Sequence, residues 1–223
     1  MKRFVIFLIA CIAAIGEAFN LAANSMRLSI AAYLESADPL QAMLLAAFSA
    51  ALVCFLFGFV TGDNSWVDRL WSILPPMYSL FFCVRAWPDA RSAILCALVC
   101  LWGIRLTWNF ARKGGYSGAE DYRWEILRAR MRNPVAWQLF NLGFISLFQM
   151  LVIALFTSPF YFLFLNRGKA PDALYAIVCL AFVGFWFIEA EADREQFRFQ
   201  NAKRRCKSGE AVPLRWDAEV RQG

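Results

Sequence analysis

The chain contains no histidine among its 223 residues. This absence excludes catalytic triads that use histidine, haem ligation by histidine and metal sites built on imidazole. The seven cysteines form no Cys-x-x-Cys pair and lie mostly within apolar stretches, so we expect neither a disulfide framework nor a zinc site. The sequence also lacks the Gly-x-x-x-x-Gly-Lys-Ser/Thr pattern of a phosphate-binding P-loop. Because the chain offers neither histidine ligands nor a cysteine pattern for zinc, we expect no bound metal.

Apolar residues, by contrast, are abundant: 60% of the chain is hydrophobic and the mean hydropathy is +0.47. They form blocks of the length that crosses a bilayer, which is roughly 20 residues for a helix. Backbone polar groups in lipid must be satisfied within the segment, so the blocks predict an all-α polytopic bundle. We predict one membrane domain, 1–223, with a basic tail at 191–223 and spans at about 4–23, 40–60, 66–87, 93–111, 139–165 and 174–190.

The first block has two interpretations. Lys2 and Arg3 followed by an apolar core and small residues also fit a cleaved signal peptide. The apolar character continues to Ala23 and five further spans follow, which favours a retained helix.

The basic residues are unevenly distributed between alternate loops. Of the 23 lysines and arginines, 17 lie in the N-terminus, near the boundary between the second and third spans, in the loop after the fourth span, and in the C-terminal tail. This asymmetry predicts that both termini are cytoplasmic. We therefore attribute the net charge of +6 to the membrane orientation of the chain and to contact with anionic lipid headgroups, and not to binding of nucleic acid. We expect a multi-pass protein of a bacterial inner membrane or a eukaryotic endomembrane.

Polar residues precede the third predicted span. Asp63, Asn64 and Ser65 are typical helix-capping residues, and Asp68 in the first turn complements the helix dipole. Within the span, Pro75-Pro76 predicts a kink.

The fourth span places Arg105, Asn109 and Arg112 on one helix face. Two interpretations stay open for Arg105. It either extends to the lipid headgroups or belongs to a polar stripe directed into the bundle toward an anionic ligand.

The segment ARKGGYSGAEDYRWEILR follows this span. Gly114-Gly115 predicts a helix end, and Ser117 with Glu120 predicts a capping box for an interfacial helix that ends at Asn133-Pro134. This turn and cap leave the run from Asp121 to Arg123 unexplained. In the sixth span and tail, Asp193 and Gln196 share a helix face, for which we favour a role in the bundle interior.

Three segments together resemble one family. They are DNSWVDRLWSILPPMYSL, LWGIRLTWNFARKGGYSGAEDYRW and EADREQFRFQNAKRR. Their order and spacing, over about residues 63–205, resemble the Val-Asp-x-x-Trp, Trp-Gly-x-Arg-Leu and Ala-Asp-x-Gln-x-x-x-Phe motifs of the steroid 5α-reductase-like membrane proteins, in their uncharacterised branch. Trp124 stands where that branch usually has tyrosine.

The resemblance implies an all-helical bundle that binds NADPH on the cytoplasmic side and reduces a carbon–carbon double bond in a lipid such as an enone steroid. Arginines suit the cofactor phosphates and carboxylates suit ribose hydroxyls. The catalytic residues stay unassigned. The cofactor-binding positions implied by the resemblance are Arg105, Arg112, Asp121, Tyr122, Arg123, Asp193, Gln196 and Asn201.

The C-terminal sequence departs from the family pattern. Family members continue into a Ser-Arg-His-Pro motif and a further helix, whereas this chain ends at AVPLRWDAEVRQG. The resemblance therefore implies a truncated or shortened relative, either active or inactive. Two alternatives stay open: a membrane methyltransferase that uses S-adenosylmethionine, and a non-enzymatic lipid-binding scaffold. The absence of an inverted repeat argues against a transporter.

Overall fold

The computed structural model describes residues 32–33, 35–118 and 120–208, and every regular element among them is helical. The span predicted at 4–23 and the end of the tail, 209–223, lie outside these residues. In chain order the helices are α1 Pro39–Thr61, α2 Trp66–Leu70, α3 Leu74–Ala86, α4 Ala90–Arg112, α5 Tyr122–Met131, α6 Pro134–Thr157, α7 Pro159–Leu165 and α8 Ala173–Lys207. Helix α6 includes a π-helical stretch, Asn141–Phe148.

The chain divides into two compact units, Met1–Ala170 and Pro171–Gly223. Helices α1 to α7 belong to the first unit, and α8 is the described helix of the second. The single domain expected from the sequence stays a prediction.

Four of the described helices are long and apolar enough to cross a membrane: α1, α4, α6 and the Ala173–Cys206 part of α8. They correspond to the spans predicted at 40–60, 93–111, 139–165 and 174–190. Their lengths are 23, 23, 24 and 34 residues, and a spanning helix needs about 20. The helical fold is thus confirmed for the described residues, and the apolar helices support a membrane protein. Six spans are not confirmed.

The segment 66–87 does not form the one helix predicted for it. It is divided into α2 and α3 by a turn at residues 71–73. Pro75 lies in the first turn of α3, where its missing N–H leaves no helix hydrogen bond unmade. The proline pair thus begins a new helix instead of bending a continuous one. Pro159 likewise begins α7, so that α6 ends at Thr157 inside the span predicted at 139–165.

The core of the first unit lies where α1 packs against α6. The buried positions of α1 recur every three or four residues, as a helix face requires. Three of them are alanines, Ala42, Ala47 and Ala51, which allow close approach of the neighbouring helix. The fully buried apolar partners on α6 are Ile145, Met150, Ile153 and Ala154.

Two hydrogen bonds hold α7 and the residues just after it against the starts of α1 and α4. Asp38 caps α1, and its Oδ2 accepts a hydrogen bond from the Tyr161 hydroxyl of α7 at 3.1 Å. Asp89, which caps α4, accepts a hydrogen bond from Gly168 N at 3.1 Å. The starts of α1 and α4 therefore lie near α7, and the C-terminal ends of α1 and α4 lie at the opposite end of the unit.

The α3–α4 contact depends on Gly103. A Cβ atom at this position would lie 2.3 Å from Pro76 Cγ and 2.8 Å from the backbone oxygen of Ser72. Because the second of these atoms belongs to the backbone, a side-chain rotation cannot relieve the overlap. The absence of a side chain at Gly103 is therefore a condition for the packing of these two helices.

We expect Gly103→Ala to lower the free energy of unfolding by about 1–3 kcal/mol, because the added methyl group overpacks the α3–α4 contact. Thermal unfolding in detergent measures this loss as a lower Tm. Gly143→Ala is the matched control, since a Cβ at that helical position meets no atom within 4 Å. An equal or higher Tm for Gly103→Ala would contradict the close packing.

Candidate functional site

Two loops meet at the end of the unit where α1 and α4 terminate. Gly62, with φ of +71°, ends α1 in the left-handed conformation that glycine adopts without strain. Gly114, with φ of +87°, follows the end of α4 at Arg112, as the sequence predicted. We call the surface formed by residues 62–70, 113–118 and 120–131 the polar face.

Glu120 joins the two loops through one carboxylate oxygen. Its Oε1 accepts hydrogen bonds from Asn64 N and Asn64 Nδ2, each at 2.9 Å, and from Arg128 Nη2 at 2.5 Å. The same Arg128 nitrogen donates to the Gly62 carbonyl at 2.8 Å. Bonds in which one partner is charged are the stronger class. The carboxylate therefore holds the end of α1 against α5.

A second set of contacts joins the same two loops. Asp121 N donates to Ser65 Oγ at 2.8 Å, and Ser65 N donates to Asp63 Oδ1 at 2.9 Å. The other Asp63 oxygen pairs with Arg69 Nη2 at 2.6 Å, and the Arg69 guanidinium lies 4.4 Å from the centre of the Trp66 ring. Arg69 is buried, so its charge is neutralised inside the polar face.

Asp68 connects α2 to α5. Trp124 Nε1 donates to Asp68 Oδ2 at 2.9 Å, and Arg123 Nη2 lies 3.5 Å from Asp68 Oδ1. Burial raises the pKa of the Asp68 carboxyl above its ordinary value, although the Trp124 hydrogen bond and the Arg123 charge act in the opposite direction. This carboxyl therefore binds its proton more tightly than an exposed aspartate does.

The capping box predicted at Ser117 and Glu120 is wrong. Asp121 is the N-cap of α5, and its Oδ1 accepts a hydrogen bond from Arg123 N at 2.9 Å. Glu120 contacts the loop after α1 instead, because Asn64 offers it two donors there and Arg128 of α5 offers a third.

The side-chain cap predicted for the helix at Trp66 is also absent. Ser65 occupies the N-cap position of α2 without a side-chain capping bond, since its hydroxyl accepts from Asp121 N.

Three of the residues implied to bind the cofactor lie at the start of α5. Arg123 binds Asp121 through both carboxylate oxygens, with Nε–Oδ1 at 2.8 Å and Nη2–Oδ2 at 3.0 Å. Burial raises the pKa of Asp121, but its bonds to Arg123 outweigh that effect and lower the pKa below its ordinary value. Tyr122 is 69% exposed. Asp121 and Arg123 thus use their strongest contacts on each other.

Arg105, Asn109 and Arg112 lie along α4, on the face that the sequence predicted. Asn109 is buried, and its Oδ1 accepts a hydrogen bond from Arg112 Nε at 2.8 Å. The Arg112 guanidinium also lies 4.6 Å from the centre of the Trp108 ring. The amide and the ring therefore hold this guanidinium in a defined orientation at the end of α4.

Asp193, Gln196 and Asn201 lie on α8, which belongs to the second unit. Asp193 and Gln196 are three residues apart on this continuous helix, and Asn201 Oδ1 accepts a hydrogen bond from Arg204. Nearby ion pairs join Arg194 to Glu191 and Arg198 to Glu195 at 2.7 and 3.1 Å.

Several residues that organise the polar face were not among the predicted site residues. They are Asn64, Ser65, Asp68, Arg69, Glu120 and Arg128. A signal was present in the concentration of polar residues between Thr61 and Ser72, next to two apolar blocks. The local pattern assigned Asn64, Ser65 and Glu120 to helix caps and Asp68 to a first helix turn. It does not reveal the partners that these residues, Arg69 and Arg128 have in distant parts of the sequence.

We expect Glu120→Ala to lower the free energy of unfolding by about 1–3 kcal/mol, because three donors lose their acceptor. The measurement is the Tm in detergent. Glu125→Ala is the control on the same helix, since Glu125 is exposed. If both variants unfold at the same temperature as the unaltered protein, Glu120 does not hold the two loops together.

Comparison with known proteins places the chain in a family. The model of the family described as "Protein of unknown function (DUF1295)" matches residues 54–210. An uncharacterised protein of the fission yeast Schizosaccharomyces pombe is 33% identical over 200 residues, which cover 87% of this chain and 58% of the yeast protein. The chain thus spans less than two thirds of that relative. No solved structure matches it significantly. The chain belongs to the DUF1295 family of proteins of unknown function.

Proposed function

We propose that this membrane protein is an NADPH-dependent reductase of a carbon–carbon double bond in a lipid. The motifs that resemble those of steroid 5α-reductase-like proteins support this reaction class. The structural observation that carries the proposal is the arrangement of α4. Its last turns hold Arg105 and Arg112 on one face and line an apolar cavity on the adjacent face.

This cavity lies between α3 and α4 and has a volume of about 510 Å³. Its lining is apolar except near the polar face, where the Thr107 hydroxyl donates to Ser72 Oγ at 2.7 Å. Volumes of this size are typical of small-molecule sites. A lipid in this cavity would have its polar end beside the turns that carry the arginines. The α4 residues lining it include Cys100, Ile104, Thr107, Trp108 and Ala111.

The residue chemistry at the end of α4 fits a phosphate-bearing cofactor. Arginine is the side chain best suited to pyrophosphate and to a 2′-phosphate. S-adenosylmethionine carries a positive sulfonium and no phosphate, so a group of arginines favours NADPH over it. Because Asp121 and Arg123 bind each other, we assign them to the positioning of α5, and Arg105 and Arg112 to the cofactor. Asp193, Gln196 and Asn201 belong to the second unit, and their assignment to the cofactor rests on the family resemblance alone.

A second apolar cavity, of about 450 Å³, lies between α1 and α3. Tyr78 lines it and is only 5% exposed, and its hydroxyl has no hydrogen-bond partner among the described residues. A buried hydroxyl without a partner costs about 1–3 kcal/mol. A carbonyl oxygen on a bound lipid would accept this hydrogen bond. Because Met77 lines both cavities, we propose that the lipid extends past Met77 into this one and that Tyr78 is the donor that polarises its carbonyl.

Reduction of the double bond adds a hydride, which NADPH would supply when bound, and a proton, which would come from solvent. The chain itself would orient the cofactor phosphates through Arg105 and Arg112, exclude water with the apolar walls of the cavities, and stabilise negative charge on the lipid carbonyl through Tyr78. The distribution of basic residues supports a cytoplasmic location for the polar face and for both termini, in a multi-pass membrane protein.

The test separates cofactor binding from turnover. In detergent we expect Arg112→Gln to weaken NADPH binding by roughly tenfold, because one charged contact to phosphate is lost. We expect Tyr78→Phe to keep NADPH binding and to lose oxidation of NADPH driven by a short-chain enone lipid. Tryptophan fluorescence quenching reports binding, and absorbance at the nicotinamide band reports turnover.

Arg130→Gln is the control for charge, because Arg130 is exposed on α5. If the protein bound S-adenosylmethionine and not NADPH, the methyltransferase alternative would replace the proposed reductase function. Binding of the lipid without either cofactor would leave only a lipid-binding protein. Equal NADPH affinity in Arg112→Gln and the unaltered protein would contradict the assigned cofactor site.

A further inference from the structure

A third cavity lies apart from the two apolar ones, where α1 ends and α6 begins. It has a volume of about 350 Å³. Two arginines line it, Arg128 and Arg132, and no carboxylate does. The other residues that line it are Gly58, Phe59, Gly62, Asn64, Asn133, Pro134, Trp137 and Gln138.

The positive charge of this cavity is only partly neutralised. Arg128 Nη2 donates hydrogen bonds to Glu120 and to the Gly62 carbonyl, and the Arg128 guanidinium lies 5.1 Å from the centre of the Trp137 ring. Arg132 is exposed and makes no hydrogen bond or ion pair with any other described residue. One full positive charge therefore remains at the cavity, which favours an anionic ligand.

The cavity also contains a hydrogen-bond acceptor. Asn64 is 3% exposed, and its Oδ1 has no hydrogen-bond partner among the described residues. A Cβ on Gly58 would lie 3.0 Å from this oxygen and 3.4 Å from Asn141 Nδ2. Glycine at position 58 thus keeps the space beside the acceptor open. A ligand suited to both features combines an anion with a hydroxyl or ammonium donor.

We propose that this cavity binds the phosphate group of a phospholipid whose headgroup also carries a donor, such as phosphatidylglycerol or phosphatidylethanolamine. Arg132 and Arg128 would bind the phosphate, and Asn64 Oδ1 would accept from the headgroup hydroxyl or ammonium. The position supports a lipid source, because α1 and α6 are both long and apolar enough to cross a membrane and the cavity joins their ends. Trp137 and the 60% exposed Phe59 provide the apolar contact common at headgroup depth.

Calorimetric titration of the detergent-solubilised full chain with short-chain phosphatidylglycerol tests the site. We expect Arg132→Gln to weaken binding by roughly tenfold, because a charged contact to phosphate is lost. Arg130→Gln removes the same charge from an exposed position of α5 that does not line the cavity, so it should bind as the unaltered protein does.

Further titrations identify the ligand chemistry. Phosphatidylcholine lacks the donor and should bind more weakly than phosphatidylglycerol. Gly58→Ala should reduce this preference by filling the space beside Asn64, with its Tm as the test of folding. Binding of inorganic phosphate but not lipid, with the same dependence on Arg132, would keep the phosphate site and overturn the lipid source. Equal losses in Arg132→Gln and Arg130→Gln, or no binding of either ligand, would overturn the proposal.

Discussion

The hydrogen bonds to one carboxylate oxygen of Glu120 determine how the polar face is organised. Asn64 and Glu120 are 56 residues apart, yet the backbone and the side chain of Asn64 both donate to this oxygen. Arg128 supplies the third donor and the compensating charge. The loops after α1 and α4 thereby form one surface. Backbone N–H groups in a loop need acceptors, and one charged carboxylate oxygen can satisfy several donors at once.

This arrangement separates arginines that stabilise the fold from arginines available to ligands. Arg69 and Arg123 pair with Asp63 and Asp121, so their charges are used inside the protein. Arg132 has no such partner among the described residues and lies at the α1–α6 cavity. The end of the first unit that carries the polar face can in this way have two proposed anion sites, one for a cofactor at the end of α4 and one for a lipid headgroup, without an excess of buried positive charge.

Sequence reasoning predicted the long helices better than their ends. The spans at 40–60 and 93–111 correspond to α1 and α4 because bilayer thickness fixes both length and apolarity. The prediction of one helix over 66–87 was wrong, because Pro75 suits the first turn of a new helix as well as a kink within a helix. Of the site, the common face of Arg105 and Arg112 was predictable from helix periodicity. The role of Glu120 was not, because its partners are distant in the sequence and a capping pattern matched it locally.

The most direct test of the account is hydrogen–deuterium exchange at the Asn64 amide, which donates to Glu120 Oε1 at 2.9 Å. We expect this loop amide to be protected in the unaltered protein and to lose its protection in Glu120→Ala, while the central amides of α1 stay protected. Rapid exchange of the Asn64 amide in both proteins would show that Glu120 does not hold the two loops together, and would contradict the account.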